Sequence, residues 1–345
     1  MQSKTFCVLP WYSVEINGTN KTPCCLLAKG HDLNEIKSDL LSGIRSPACQ
    51  KCWTLEDQKQ DSRRIQENRF LDWKLDKDIQ SIEQDCITNQ NRILMQQIYL
   101  SNLCNQACVT CNSTFSTKWI EIEKKMGIVP SAAYHPDFVE FEIDFKTIQR
   151  INLLGGEPMF DPRSFHLLNK LLDSNNDQCF ISFVTNGSVE LNDQQKNVLK
   201  AFPNLNICLS IDGIQSRFEY MRWPGKWNTL LKNLDQYKTV TDNFSISYTI
   251  SSVNAIYYDE TVQWFKKENM RYNHNIVYKP QWAELPNMPV KIKQYLKNHA
   301  FFKPFTEITG SELSSENFLE TLAKQDIAKK IKISDYLPDL LSIIQ

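Results

Sequence analysis

Residues 101–112 read Ser101-Asn102-Leu103-Cys104-Asn105-Gln106-Ala107-Cys108-Val109-Thr110-Cys111-Asn112, with the three cysteines in a C-x3-C-x2-C spacing. Three thiolates on one tight loop suit soft metals, iron-sulfur or zinc. A closed structural site asks for four ligands. Here no fourth Cys or His follows closely, the next being Cys179 and His135. A remote fourth ligand stays open, as does the bland alternative of three cysteines packed as small hydrophobes. The Asn, Gln and Thr residues between them make a poor core segment. The pattern therefore favours a cluster that keeps one iron without a protein ligand, free to bind a substrate or cofactor.

Outward from this loop, apolar runs alternate with amphipathic stretches. Strands are predicted at 92–100, 151–154, 180–184, 205–211, 244–250 and 275–278, with helices at 116–126, 164–173, 193–201, 226–237 and 260–268. Six strands joined through five helices predict an α/β fold with a parallel sheet and right-handed crossovers, a partial (β/α)6 TIM-like barrel. Ligand sites in such folds sit at the C-terminal strand ends. The first four strands run respectively into the cysteine loop, Gly155-Gly156-Glu157-Pro158, Thr185-Asn186-Gly187 and Ser210-Ile211-Asp212-Gly213. Paired glycines let backbone approach a ligand. Read alone, each of these is also an ordinary turn.

The cysteine loop followed by Gly-Gly-Glu-Pro resembles the radical S-adenosylmethionine (SAM) enzymes over residues 93 to 285. The resemblance implies a [4Fe-4S] cluster on Cys104, Cys108 and Cys111 whose open iron chelates the methionine part of SAM. It implies SAM contacts at Gly155, Gly156 and Glu157 for the methionine amine. Asn186, Ser210 and Asp212 correspond to ribose and carboxylate contacts, and Arg222 to a charge-assisted clamp on the carboxylate. Asn254, after the fifth strand, is a weaker candidate. Thr110 occupies the position where the family usually carries an aromatic or large apolar residue near the adenine.

A second cysteine set lies at the N-terminus: Cys7-Val8-Leu9-Pro10-Trp11, Asn17-Gly18, Pro23-Cys24-Cys25 and Cys49-Gln50-Lys51-Cys52-Trp53. Its count fits a four-thiolate site, with zinc or an iron-sulfur cluster both open. The run resembles the SPASM or twitch extension of radical SAM maturases, here placed before the barrel, and so implies an auxiliary [4Fe-4S] cluster. The preferred ligands are Cys7, Cys24, Cys49 and Cys52, with Cys25 competing with Cys24. Residues 1–75 form the expected auxiliary-cluster domain with a charged, solvated helix at 56–70. Residues 90–285 form the barrel and 286–345 a helical extension covering it. Cys179 and Cys208 read as core, and Cys86 is unassigned.

The chain has 345 residues, 41% of them hydrophobic, and a formal net charge of −1. That is enough apolar content for a sizeable core, and the balance gives no reason to expect nucleic acid. No apolar run is long enough for a transmembrane helix, and the first residues lack a signal-peptide core. Eleven cysteines in an unexported chain argue for metal ligation over disulfides and for the cytoplasm. The resemblance implies a peptide or protein substrate and an external electron donor of flavodoxin or ferredoxin type. Turnover of a small molecule such as an amino acid or sugar, and a non-catalytic zinc or iron-sulfur interaction protein, are the rival readings.

Overall fold

The structure is a computed structural model and describes residues 4–17, 20–28, 30–57, 59, 61–88, 92–134 and 143–345. Gly18 and His135 lie outside the described residues. The strands are β1 (Ser13–Asn17), β2 (Asn20–Thr22), β3 (Met95–Tyr99), β4 (Arg150–Leu154), β5 (Phe180–Thr185), β6 (Leu205–Ser210), β7 (Phe244–Ile250) and β8 (Tyr272–Ile276). They pair in the order β2-β1-β3-β4-β5-β6-β7-β8. β1 pairs with β3, β5 with β6, β6 with β7 and β7 with β8 in parallel, whereas β1 and β2 are antiparallel. From β3 onward the strands follow chain order with helices between them, which is the expected partial (β/α)6 arrangement.

The helices before β3 are α1 (Leu9–Tyr12), α2 (Leu33–Leu41), α3 (Gln50–Asp57), α4 (Arg63–Leu75) and α5 (Ile79–Thr88). Between the later strands run α6 (Thr117–Lys125), α7 (Pro162–Asp173), α8 (Asp193–Lys200), α9 (Gln215–Met221), α10 (Trp227–Tyr237) and α11 (Tyr258–Lys267). After β8 come α12 (Val290–Leu296), α13 (Lys303–Thr306), α14 (Ser315–Lys329) and α15 (Pro338–Ile344). Local chemistry explains several of these limits. The Asn192 side chain accepts from Gln195 N and the Gln195 side chain from Asn192 N, a capping box that starts α8. Ser314 caps α14 by accepting from Asn317 N, and Lys330 closes it in the left-handed conformation. Strands β5 and β6 bury alternate residues, as period-two patterning demands.

Two expectations need correcting. The last strand starts three residues earlier than predicted and ends two residues earlier. Its middle residues Asn273, His274 and Asn275 are exposed, and β7 is its one partner in the strand order, so apolar periodicity could not find it. The charged stretch at 56–70 is also not a solvated linker. Helix α4 buries Glu67 and Leu71, and the buried Glu67 carboxylate is paired by Arg150. β1 and β2 extend the sheet and were not predicted, although Val14 and Ile16 alternate ahead of the Asn17-Gly18 turn signal.

The chain divides into two compact units. The first comprises Met1–Tyr99, Asp137–Asn152 and Lys170–Phe180; the second comprises Leu100–Pro136, Leu153–Asn169 and Ile181–Gln345. The first is built on Phe6, Leu9, Trp11, Tyr12, Leu40, Trp53, Leu71, Ile82 and Leu94, all buried together. Cys86 is buried in this core. In the second, the inward residues of β5 to β7 and the C-terminal helices bury Phe183, Leu209, Tyr248, Phe318 and Leu340. No helix among the described residues is long and apolar enough to cross a membrane.

Candidate functional site

The cysteine loop after β3 has little regular structure, so its backbone groups need partners elsewhere. They find them in two places. Ala107 N donates to Trp223 O at 2.7 Å and Val109 N to Met221 O at 2.8 Å, which puts Arg222 between the two pairings. Ser116 Oγ donates to Gln106 O at 2.6 Å and Trp119 Nε1 to Cys108 O at 2.9 Å, tying the loop to the start of α6. Asn102 acts as an internal brace. Its Nδ2 donates to Ser113 O and Ala132 O, and its Oδ1 accepts from Tyr134 N. The loop is thus fixed from outside its own sequence, as a rigid ligand-presenting segment must be.

The Gly155-Gly156 pair lies directly under this loop. A Cβ on Gly156 would stand 2.3 Å from Leu103 O and 2.6 Å from Leu103 C; one on Gly155, where φ is +124°, would stand 2.5 Å from Ser101 O. Only glycine permits this approach. Gly156 N donates to Ser101 O and Glu157 N to Leu103 O, each at 2.8 Å, so the two strand ends are stitched together. Ser101 Oγ adds a bond to the buried Asp161 at 2.7 Å.

Glu157 is fully buried and accepts from Thr185 Oγ1 at 2.6 Å, Asn186 N at 2.5 Å and Met159 N at 3.0 Å. Burial pushes its carboxyl up to about 7, against the opposing pull of those three donors and of Arg222. Its oxygens therefore organise the end of β5. That end presents Asn186, whose Nδ2 lies 4.0 Å from Cys104 Sγ and 2.9 Å from Asn105 Oδ1. Arg222 Nη2 pairs with Asp212 Oδ2 at 2.7 Å while Nη1 lies 4.0 Å from Cys108 Sγ. Burial works against this guanidinium, but the charges of Asp212 and Cys108 outweigh it and raise its pKa further. Asn254 spends its amide on the Asp212 and Thr249 carbonyl oxygens, so it supports the end of β7 from within. Ser210 ends β6 in register with Ser247, and Thr110 is half-buried in the loop.

The structure thus links Cys104, Asn186 and Glu157 on one side of the loop, and Cys108, Arg222 and Asp212 on the other. Burial raises all three thiols, Cys104 well up and Cys111 to about 12, with each other's charge adding to the effect on Cys104 and Cys111. Two buried donors nearby, Gln106 Nε2 and Arg222 Nε, have no hydrogen-bond partner. Three thiols, a guanidinium with an unpartnered N–H and the unpartnered Gln106 amide form a donor set matched to an anionic, sulfur-rich group. Among the described residues, no three His, Cys, Asp or Glu side chains gather closely enough for a single metal ion.

In the N-terminal unit, Cys7, Cys24, Cys49 and Cys52 line one cavity with Leu9, Pro10, Leu26, Leu27 and Arg64. Cys25 lies outside it, exposed, with Arg63 Nη1 2.8 Å from its sulfur. Burial raises Cys7 well above an ordinary thiol and Cys49 to about 11. Arg64 is the cation at this cavity. It pairs with Glu56 at 2.6 Å, donates to Phe6 O at 2.8 Å and stacks over Trp53. Charge alone had suggested a surface position for Arg63 and Arg64; both are instead packed into the cysteine-rich unit. Cys179 is core as expected, and Cys208 is half-buried.

No protein-family model matches the chain, and no curated protein matches it significantly. Among solved structures, anSMEcpe with bound AdoMet is similar with a TM-score of 0.43 and 16% identity, over 66% of this chain and 65% of that one. Streptococcus suis SuiB bound to S-adenosylmethionine gives 0.39 and 13%, over 66% and 50%. SuiB bound to the precursor peptide SuiA gives 0.38 and 12%, over 81% and 66%. The chain therefore spans less than two thirds of the length of the first of these.

Proposed function

We propose that this chain is a radical SAM enzyme that carries an auxiliary [4Fe-4S] cluster in its N-terminal unit and modifies a peptide or protein side chain. The observation that carries the proposal is the loop with Cys104, Cys108 and Cys111, held against a glycine pair and flanked by unpartnered buried donors. A cluster held by these three cysteines would supply the electron for reductive cleavage of SAM, the source of the radical chemistry on the substrate.

The protein's part is binding and orientation. Cys104, Cys108 and Cys111 hold three irons as thiolates, so loading releases their protons. Gly155 and Gly156 leave bare backbone for the methionine amine, and Glu157 fixes that turn against β5. Asn186, Ser210 and Asp212 face the ribose and carboxylate of SAM, with Arg222 as the charged clamp. Thr110 sits on the adenine side. Cys7, Cys24, Cys49 and Cys52 saturate the auxiliary cluster, which suits it to electron transfer and not to substrate ligation. The lining of their shared cavity favours Cys24 over Cys25. The peptide substrate rests on the resemblance of this N-terminal cysteine run to maturase extensions, the flavodoxin- or ferredoxin-type donor on the family resemblance as a whole, and a cytoplasmic setting on the cysteine usage.

Anaerobic reconstitution tests the core of this reading. About eight irons per chain are expected, four for each cluster, with SAM cleavage on addition of dithionite. Alanine at Cys104, Cys108 and Cys111 together removes about half of that iron and all cleavage. Stoichiometric zinc without cleavage refutes the enzyme reading. Co-expression with small peptides encoded nearby, read by mass change, tests the substrate class. Turnover of free metabolites without any peptide overturns that part alone.

A further inference from the structure

The C-terminal helix α14 reaches the cysteine loop from the far end of the chain. Gln325 Nε2 donates to Val109 O at 3.2 Å, and Ala328 packs with Ala107, Trp119 and Cys111. On the same helical face, Lys329 is buried, with its ammonium 4.7 Å over the Trp119 ring and 3.0 Å from Gln325 Oε1. Trp119 in turn donates to Cys108 O. Among the described residues, no carboxylate lies within ion-pair distance of this ammonium. The nearby Asp326 is taken up by Tyr220 Oη at 2.9 Å and Ile333 N at 2.7 Å. Burial works against the charged form of Lys329, and the negative charges of Cys108, Asp326 and Cys111 work for it. A buried charge without a counter-ion is costly. The counter-ion that suits this one is the cluster, whose thiolates Cys108 and Cys111 are the groups acting on it.

We propose that Lys329 is a positioning cation for the SAM-binding cluster: its charge stabilises the reduced form and so sets the reduction potential of that cluster. Each electron added makes the cluster one unit more negative, so a fixed cation in a low-dielectric site favours reduction. The role rests on the cluster reading above. It gives the C-terminal extension a part in electron entry and not only in covering the sheet.

The test compares anaerobically reconstituted wild type, Lys329→Met and Lys329→Arg. Iron content is measured first. The midpoint of the cluster is then followed by EPR during a redox titration, its signal assigned by its loss in the Cys104, Cys108, Cys111 alanine variant. Lys329→Met is expected to keep its iron and to disfavour reduction by about tenfold, a 59 mV negative shift for a one-electron couple. Lys329→Arg should stay at the wild-type midpoint. A fully loaded Lys329→Met with the wild-type midpoint overturns the proposal. Should Lys329→Met lose its iron, Lys329→Gln takes its place. Loss of iron in both neutral variants but not in Lys329→Arg supports a requirement for charge, whereas loss in all three overturns it in favour of packing. A wild type that assembles no cluster on the three cysteines refutes the proposed function itself; an assembled cluster with an unchanged midpoint refutes only the role of Lys329.

Discussion

Replacing Gly156 with alanine should uncouple the cysteine loop from the sheet. The added methyl would stand 2.3 Å from Leu103 O, 2.6 Å from Leu103 C and 2.8 Å from Asn102 C. All three are backbone atoms, so no side-chain rotation relieves the clash. The gap to Leu103 O must open to at least 3.4 Å before contact is ordinary. Leu103 immediately precedes Cys104, so that displacement falls on the first ligand. Overpacking of this kind costs about 1–3 kcal/mol. Losing the Glu157 N to Leu103 O bond adds about 1 kcal/mol. Urea unfolding of the iron-free protein should show a total loss of about 2–4 kcal/mol. Reconstituted Gly156→Ala should lose the iron of this site while the N-terminal cluster keeps its own. Gly310→Ala is the matched control. Gly310 has φ +85° and nothing within 4 Å of its would-be Cβ, so alanine there costs only backbone strain of about 1–2 kcal/mol. It should load iron fully. Wild-type stability and iron in Gly156→Ala, or equal iron loss in Gly310→Ala, would refute the reasoning.

Other outcomes follow from the same geometry. Glu157 has its carboxyl raised to about 7 by burial, above an ordinary value of 4.5, so the native state holds a proton that the unfolded chain releases. Its contribution to the stability of the iron-free protein is full below about 4.5 and is lost as pH rises through about 7, by up to about 3 kcal/mol; Glu157→Gln should flatten that slope in urea titrations across pH. Cys24→Ser should remove the N-terminal iron and Cys25→Ser should not, as read by iron counts in the alanine background of the other site. Arg64→Met strands Glu56 in a mostly buried site and should cost about 3 kcal/mol by chemical denaturation, with a loss under 1 kcal/mol counting against the pairing.

Strands β5, β6 and β7 were legible because alternate residues such as Phe183 and Leu209 face the core, and local patterning reports that directly. The rim motifs were legible because each follows its strand within a few residues. Strand β8 was misplaced because Asn273, His274 and Asn275 are exposed and carry no apolar signal. Arg64 was misread because charge suggests solvent, whereas its guanidinium is held by Glu56 and the Phe6 carbonyl. The brace at Asn102 and the cation at Lys329 carry no local signature. The helix that bears Lys329 meets the loop through Gln325 and Val109, 216 residues apart, and no window along the chain spans that distance.

The parallel pairing of β1 with β3 also sets an order of events at the ribosome. Ser13 to Asn17 lies in register with Met95 to Tyr99, and Glu15 is bonded by Gln97 across 82 residues. A parallel partner so remote in sequence must wait for the intervening chain to emerge, and closing such a loop is slow. All five N-terminal cysteines are therefore synthesised before the strand that anchors their unit. During that interval these thiols are unshielded. The unit also draws on Asp137–Asn152 and Lys170–Phe180, so the body that houses the cysteine cavity is completed only by segments synthesised well after the cysteines themselves.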